Sequence, residues 1–95
     1  MNDILQPGDV GPVLIPGETA QAIILAVREL NRDVGVVDRG GYVRVNVPGR
    51  CVLTAESVRH WLNGPFDLPG DLERVMPSFR GRMTLDGETV CWSVG

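Results

Sequence analysis

The stretch Leu53–Phe79, LTAESVRHWLNGPFDLPGDLERVMPSF, decides how the chain folds. It scans as two short helices broken at Asn63-Gly64-Pro65-Phe66 and stopped by Pro77. Thr54 is a good N-cap, because its hydroxyl accepts from an otherwise unpaired N–H of the first helical turn. Leu53 and Val58 occupy the two positions of a hydrophobic staple across that cap. Gly64 suits the left-handed residue past a helix end, and Pro65 forbids continuation. Beyond it, Leu68, Leu72, Val75, Met76 and Phe79 recur at helical spacing. Pattern alone gives an ordinary helix–turn–helix edge of a small core.

Upstream, Val10–Ile15 reads as a short strand, with Pro12 marking a sheet edge. Residues 1–9 read as a flexible N-terminal lead-in, broken by Pro7-Gly8. Pro16-Gly17 turns the chain into a helix from Thr19 to about Leu30, whose face carries Ala20, Ile23, Ile24, Val27 and Leu30. Val34–Arg39 and Tyr42–Val47 form a β-hairpin across Gly40-Gly41. In its second strand Val43, Val45 and Val47 point one way, and Tyr42, Arg44 and Asn46 the other. After a Pro48-Gly49 turn, Cys51-Val52-Leu53 is a brief strand leading into Thr54. Downstream, Gly81–Leu85 and Thr89–Val94 pair around Asp86-Gly87, with Val90, Trp92 and Val94 on one face. The expected order is β-α-β-β-(β)-α-α-β-β, an α+β two-layer sandwich with antiparallel sheet packed on helices.

Composition excludes several functions. Ninety-five residues, 43% hydrophobic and 22% charged, make one globular domain. A net charge of −3 and a pI near 4.9 make nucleic acid a poor partner. No apolar run is long enough to span a bilayer. The N-terminus has neither a basic n-region nor an apolar h-region, so the cytoplasm is the expected compartment. Cys51 and Cys91, far apart in sequence, are expected reduced and inert.

Catalytic chemistry has little to stand on. His60, the single histidine, falls on the polar side of a helix beside Glu56, Arg59 and Asn63. One histidine and two separated cysteines do not assemble a zinc or iron site. No phosphate-cradling glycine loop is present, and Ser57, Ser78 and Ser93 have no visible base. Trp61, Phe66 and Phe79 are expected to fill the core. An exposed aromatic flanked by Arg80 and Arg82 would instead be a typical binding hot spot.

The order and spacing of Val10-Gly11-Pro12, Asp38-Arg39-Gly40-Gly41-Tyr42-Val43-Arg44-Val45, Leu53-Thr54, Gly64-Pro65-Phe66 and Ser78-Phe79-Arg80-Gly81 point to a family. Across residues 10–94 the chain resembles the effector (regulatory, or coupling) proteins of bacterial multicomponent di-iron monooxygenases. It looks most like the toluene and alkene (isoprene) branch, and is related to the phenol hydroxylase and soluble methane monooxygenase regulators. Pro69-Gly70 departs from the family, which more often has helix formers there and one residue fewer.

The resemblance implies a single effector domain over 10–95 with no cofactor and no active site of its own. Its partner would be a hydroxylase carrying the di-iron centre, where docking tunes oxygen activation, coupling and regiospecificity. It would compete or alternate with the ferredoxin or reductase electron donor, and be a monomer when free. The residues it implies at the hydroxylase interface are Arg39, Tyr42, Arg44, Asn63, Met76, Pro77, Ser78, Phe79, Arg80 and Gly81. A small-molecule-binding regulatory module on the same sandwich, and a cofactor-free enzyme using His60 with Glu56, are the alternatives the residues leave open.

Overall fold

The computed structural model describes residues 8–95. Seven strands and three helices follow one another as β1 (Asp9–Leu14), α1 (Glu18–Leu30), β2 (Gly35–Asp38), β3 (Val43–Pro48), β4 (Arg50–Thr54), α2 (Ala55–Leu62), α3 (Gly70–Val75), β5 (Ser78–Arg80), β6 (Arg82–Asp86) and β7 (Thr89–Ser93). The class is the expected α+β, and all strand pairs are antiparallel. The strands divide into two sheets, one ordered β2-β3-β1-β5 and the other β4-β7-β6.

The two sheets are joined at corners. β3 passes into β4 through Gly49, and β5 passes into β6 through Gly81. Gly81 has φ +98°, and a Cβ there would lie 2.7 Å from Val10 Cγ1 and 2.8 Å from the Ser93 carbonyl oxygen. Only glycine lets the chain turn this corner against the core. One continuous core results. Val10, Leu14, Val43, Val45 and Val47 meet Ala20, Ile23, Ile24 and Val27 of α1, and Leu53, Val58, Phe66, Leu72, Val90 and Trp92 complete it.

Three sequence expectations change. Pro12 marks no edge, because β1 is hydrogen-bonded to β3 on one side and β5 on the other. The β1–β3 ladder pairs Val10 with Val47 and resumes with Val13 and Arg44, so Gly11 and Pro12 fall in an interruption where the missing N–H is tolerated. Phe79 belongs to no helix. α3 ends at Val75, and Ser78–Arg80 forms β5 against Gly11–Val13. A three-residue strand has too little periodicity to register in sequence. The left-handed residue closing α2 is Asn63 (φ 58°, ψ 46°), with Gly64 next to it. Asn tolerates that conformation better than other residues bearing a Cβ.

Smaller adjustments follow. Val94 lies beyond the end of β7 and is exposed, unlike Val90 and Trp92. Leu30, on the last turn of α1, is also exposed. Asp9, placed in the lead-in by sequence, opens β1, while residues 1–7 lie outside the described residues. Other features match the reading of the chain. Thr54 Oγ1 accepts from Ser57 N at 3.2 Å, and Leu53 and Val58 are both fully buried. Cys51 and Cys91 are free thiols, and burial, with Cys91 beside it, pushes Cys51 up to about 12.

Two polar side chains fasten the helices to the second sheet. The Asn31 amide, at the end of α1, accepts from Val52 N (2.9 Å) and donates to the Val52 carbonyl (2.8 Å) and the Val27 carbonyl (2.9 Å). β4 is an edge strand, so this one amide acts as a substitute neighbouring strand. Arg59 forks onto Glu88 through two 2.8 Å bonds and donates to the Phe66 carbonyl at 2.9 Å. It ties α2 to the following loop and to the β6–β7 turn.

Replacing Asn31 by alanine leaves the Val52 N–H and C=O without their partner. We expect Asn31→Ala to cost about 1–3 kcal/mol, the sum of two hydrogen bonds on a half-exposed edge strand. Urea unfolding would register this as a lower midpoint at unchanged slope.

Candidate functional site

The outer face of the four-stranded sheet follows from the period-two alternation of its strands. Val10, Pro12 and Leu14 of β1 turn inward and are buried, which leaves Gly11 and Val13 for the other side. In β3, Val43, Val45 and Val47 are buried, and Arg44 and Asn46 face out. Register then lines up one rung across all four strands: Val37 opposite Arg44, Arg44 opposite Val13, Val13 opposite Ser78. One position pair along, Arg80 stands opposite Gly11 and Asn46 opposite Gly35.

Gly11 has no side chain, so this face carries a hollow. The hollow has a volume of about 140 Å³, and its walls include Arg44, Asn46, Ser78 and Arg80. A Cβ on Gly11 would collide with the Val45 carbonyl oxygen, so the position stays bare. A second, more open depression of about 340 Å³ adjoins it, formed by Val13, Ile15, Tyr42, Arg44, Pro77 and Ser78. Ile15 is 47% exposed there. Arg44 lies 5.6 Å from the Tyr42 ring centroid, a cation–π distance. Its Nε–H is buried and has no hydrogen-bond acceptor. Such a donor costs on the order of 1–3 kcal/mol, more when charged.

The ten residues implied by the family resemblance are thus only partly brought together. Tyr42, Arg44, Pro77, Ser78 and Arg80 converge on this face. Arg39 is exposed in the β2–β3 turn, which is shaped by Asp38 Oδ1 accepting from Gly40 N and by the bond from Arg39 N to the Tyr42 carbonyl. Phe79 alternates away from Ser78 and Arg80 and is 39% exposed, contrary to the core role expected of it. Gly81 is the corner described above. Met76 is only 8% exposed and serves the core. Asn63 closes α2 and borders neither hollow. Gly11, Val13, Ile15 and Asn46 were not among the expected interface residues. Signals for them existed: Asn46 already shared a strand face with Tyr42 and Arg44, and Val10–Ile15 is apolar at every position although only one face can meet the core.

A groove of about 340 Å³ also runs between α1 and α2, past Glu29, Leu30, Thr54, Glu56, Ser57 and His60. Glu29 Oε1 accepts from Ser57 Oγ at 2.7 Å and from Trp61 Nε1 at 3.1 Å. Those two bonds hold the Glu29 carboxyl below its ordinary range. Trp61, expected in the core, is 41% exposed, and His60 meets its ring edge-on. Ser57 Oγ donates to the Glu29 carboxylate and not to the His60 imidazole. Among the described residues, no three His, Cys, Asp or Glu side chains gather as a metal site. No described helix is long and apolar enough to cross a membrane.

The outer sheet face is half apolar and carries two guanidinium groups, the chemistry of a surface for protein contact. The chain matches the MmoB/DmpM family over residues 8–93 and belongs to it. It is a regulatory component and not a catalyst. It is 39% identical over 85 residues to the effector subunit of an alkene monooxygenase system from Xanthobacter autotrophicus, covering 87% of this chain and 83% of that protein. Two chains from structures of phenol hydroxylase–regulatory protein complexes share its fold. One has a TM-score of 0.79 at 17% identity, covering 92% of this chain and 98% of its own; the other has 0.74 at 20%, covering 90% and 98%.

Acid should loosen the α1–α2 groove. Glu29 titrates below its ordinary 4.5 in the folded state. Its contribution is therefore complete above the unfolded value and is lost as pH falls through the lower, folded one. We expect Trp61 fluorescence to change with a midpoint below 4.5, and Glu29→Gln to abolish that transition.

Proposed function

We propose that this protein is the effector of a multicomponent di-iron monooxygenase and docks its outer sheet face on the hydroxylase component. The observation that carries the reading is the pairing of family membership with a face of Tyr42, Arg44, Ser78, Arg80 and exposed Ile15. The turn from Val75 to Gly81 supports it, because five of its seven residues, Pro77 to Gly81, are exposed and open to a partner. The alkene monooxygenase relative favours alkenes or similar small hydrocarbons as the substrate of the assembled system. In this reading the chain holds no cofactor, is monomeric when free, and alternates with the electron-donating ferredoxin or reductase.

A partner without chemistry of its own acts only by binding one state of the enzyme better than another. A hundredfold acceleration needs about 2.7 kcal/mol of such preference. A few contacts from one sheet face supply that. Docking would thereby adjust the geometry of the active site, its coupling of oxygen use to product, and the position at which substrate is attacked.

Reconstitution tests this directly. The protein is titrated into purified hydroxylase plus electron-transfer components while product and peroxide are followed. Activation should saturate near one effector per di-iron site, and Arg80→Glu should shift that curve to higher concentration. No change in rate, coupling or product distribution on adding the wild-type chain would refute the assignment.

A further inference from the structure

We propose that the hollow floored by Gly11 is a receptor for one carboxylate side chain, an Asp or Glu presented by the hydroxylase. The inference rests on the effector reading and specifies what this face recognises. Among the described residues, two buried side-chain donors have no acceptor, Arg44 Nε and Trp92 Nε1. The indole belongs to a fully buried side chain in the core, whereas Arg44 borders both hollows of the sheet face. Nε together with one terminal nitrogen forms the side of the guanidinium that grips a carboxylate through two parallel bonds. In the free protein half of that grip is desolvated and idle.

The surroundings fit the same ligand. Arg80 supplies a second positive charge across the Gly11 gap, and Ser78 and Asn46 add neutral polar groups. Among the described residues no carboxylate forms a salt bridge with Arg44 or Arg80. Arg59, by contrast, is already taken by Glu88. A volume of about 140 Å³ is well below that of sites for cofactor-sized ligands, and suits the end of one side chain. The chain as a whole carries net charge −3, so this cationic recess is a local reversal that an acidic group would find attractive. The flanking Val13, Ile15 and Tyr42 would exclude water around the pair, as apolar contacts do around a hot spot.

Calorimetric titration of the hydroxylase with wild type and variants tests the inference, each variant being checked by urea unfolding. Arg44→Gln and Arg44→Lys should each weaken binding roughly 10- to 100-fold, because lysine keeps the charge but loses the fork. Arg44→Met should lose affinity equally while unfolding at the same or a higher urea concentration, since it removes a buried donor that nothing satisfies in the free protein. Arg80→Gln should weaken binding less and flatten its salt dependence. On the hydroxylase, single Asp→Asn and Glu→Gln changes across the covered surface should reveal one carboxylate whose loss is non-additive with Arg44→Gln. Wild-type affinity in Arg44→Lys or Arg44→Gln, affinity losses that track losses of folding stability, or no coupled carboxylate would each overturn the inference and leave the effector reading intact. Failure of the wild-type chain to bind at all would remove both.

Discussion

β1 is the constraint on which the rest of the protein depends. It is paired on both edges, and beyond Asp9 every one of its residues is apolar, an unusual demand for a strand in so small a domain. Its inward side chains, Val10, Pro12 and Leu14, help to close the core. Its outward ones, Gly11 and Val13, together with Ile15 just beyond it, line the hollows of the outer sheet face. As a central strand it holds β3 on one edge and β5 on the other, so its outward residues set the floor of the outer sheet face. The rung Val37–Arg44–Val13–Ser78 is the direct result of its register.

The opposite side of the molecule is sealed by different means. α1 and α2 cover the core, Asn31 fastens the free edge of β4, and Arg59 locks the loop after α2 to the β6–β7 turn. These bonds satisfy backbone groups that would otherwise invite another strand or go unpaired. One half of the protein is thus closed by its own side chains, and the other leaves a charged donor, Arg44 Nε, unsatisfied. A buried donor left unmet costs the isolated domain on the order of 1–3 kcal/mol.

This division fits a regulator. Potentially reactive groups are either held back by burial, as the Cys51 thiol is, or already hydrogen-bonded into structure, as Ser57 and Glu29 are. What the domain offers is a fixed arrangement of apolar, aromatic and guanidinium groups on a hydrogen-bonded sheet. A rigid support lets a small number of contacts discriminate between states of a partner, because little of their energy is spent on ordering the surface itself.

Much of this was legible in the chain. The periodicity of Thr19–Leu30, the alternation of Tyr42–Val47, the Thr54 cap and the stop at Pro77 depend on neighbours close in sequence, so local chemistry determined them. Tertiary structure alone decided that Ser78–Arg80 is a strand, that Pro12 sits mid-sheet, and that Trp61 and Phe79 are exposed. It also decided which residues gather on the outer sheet face: Arg44, Val13 and Ser78 are far apart in the chain and become neighbours only through β-ladder register. Register is fixed by which side chains the whole core must bury, a requirement that no short window of sequence contains.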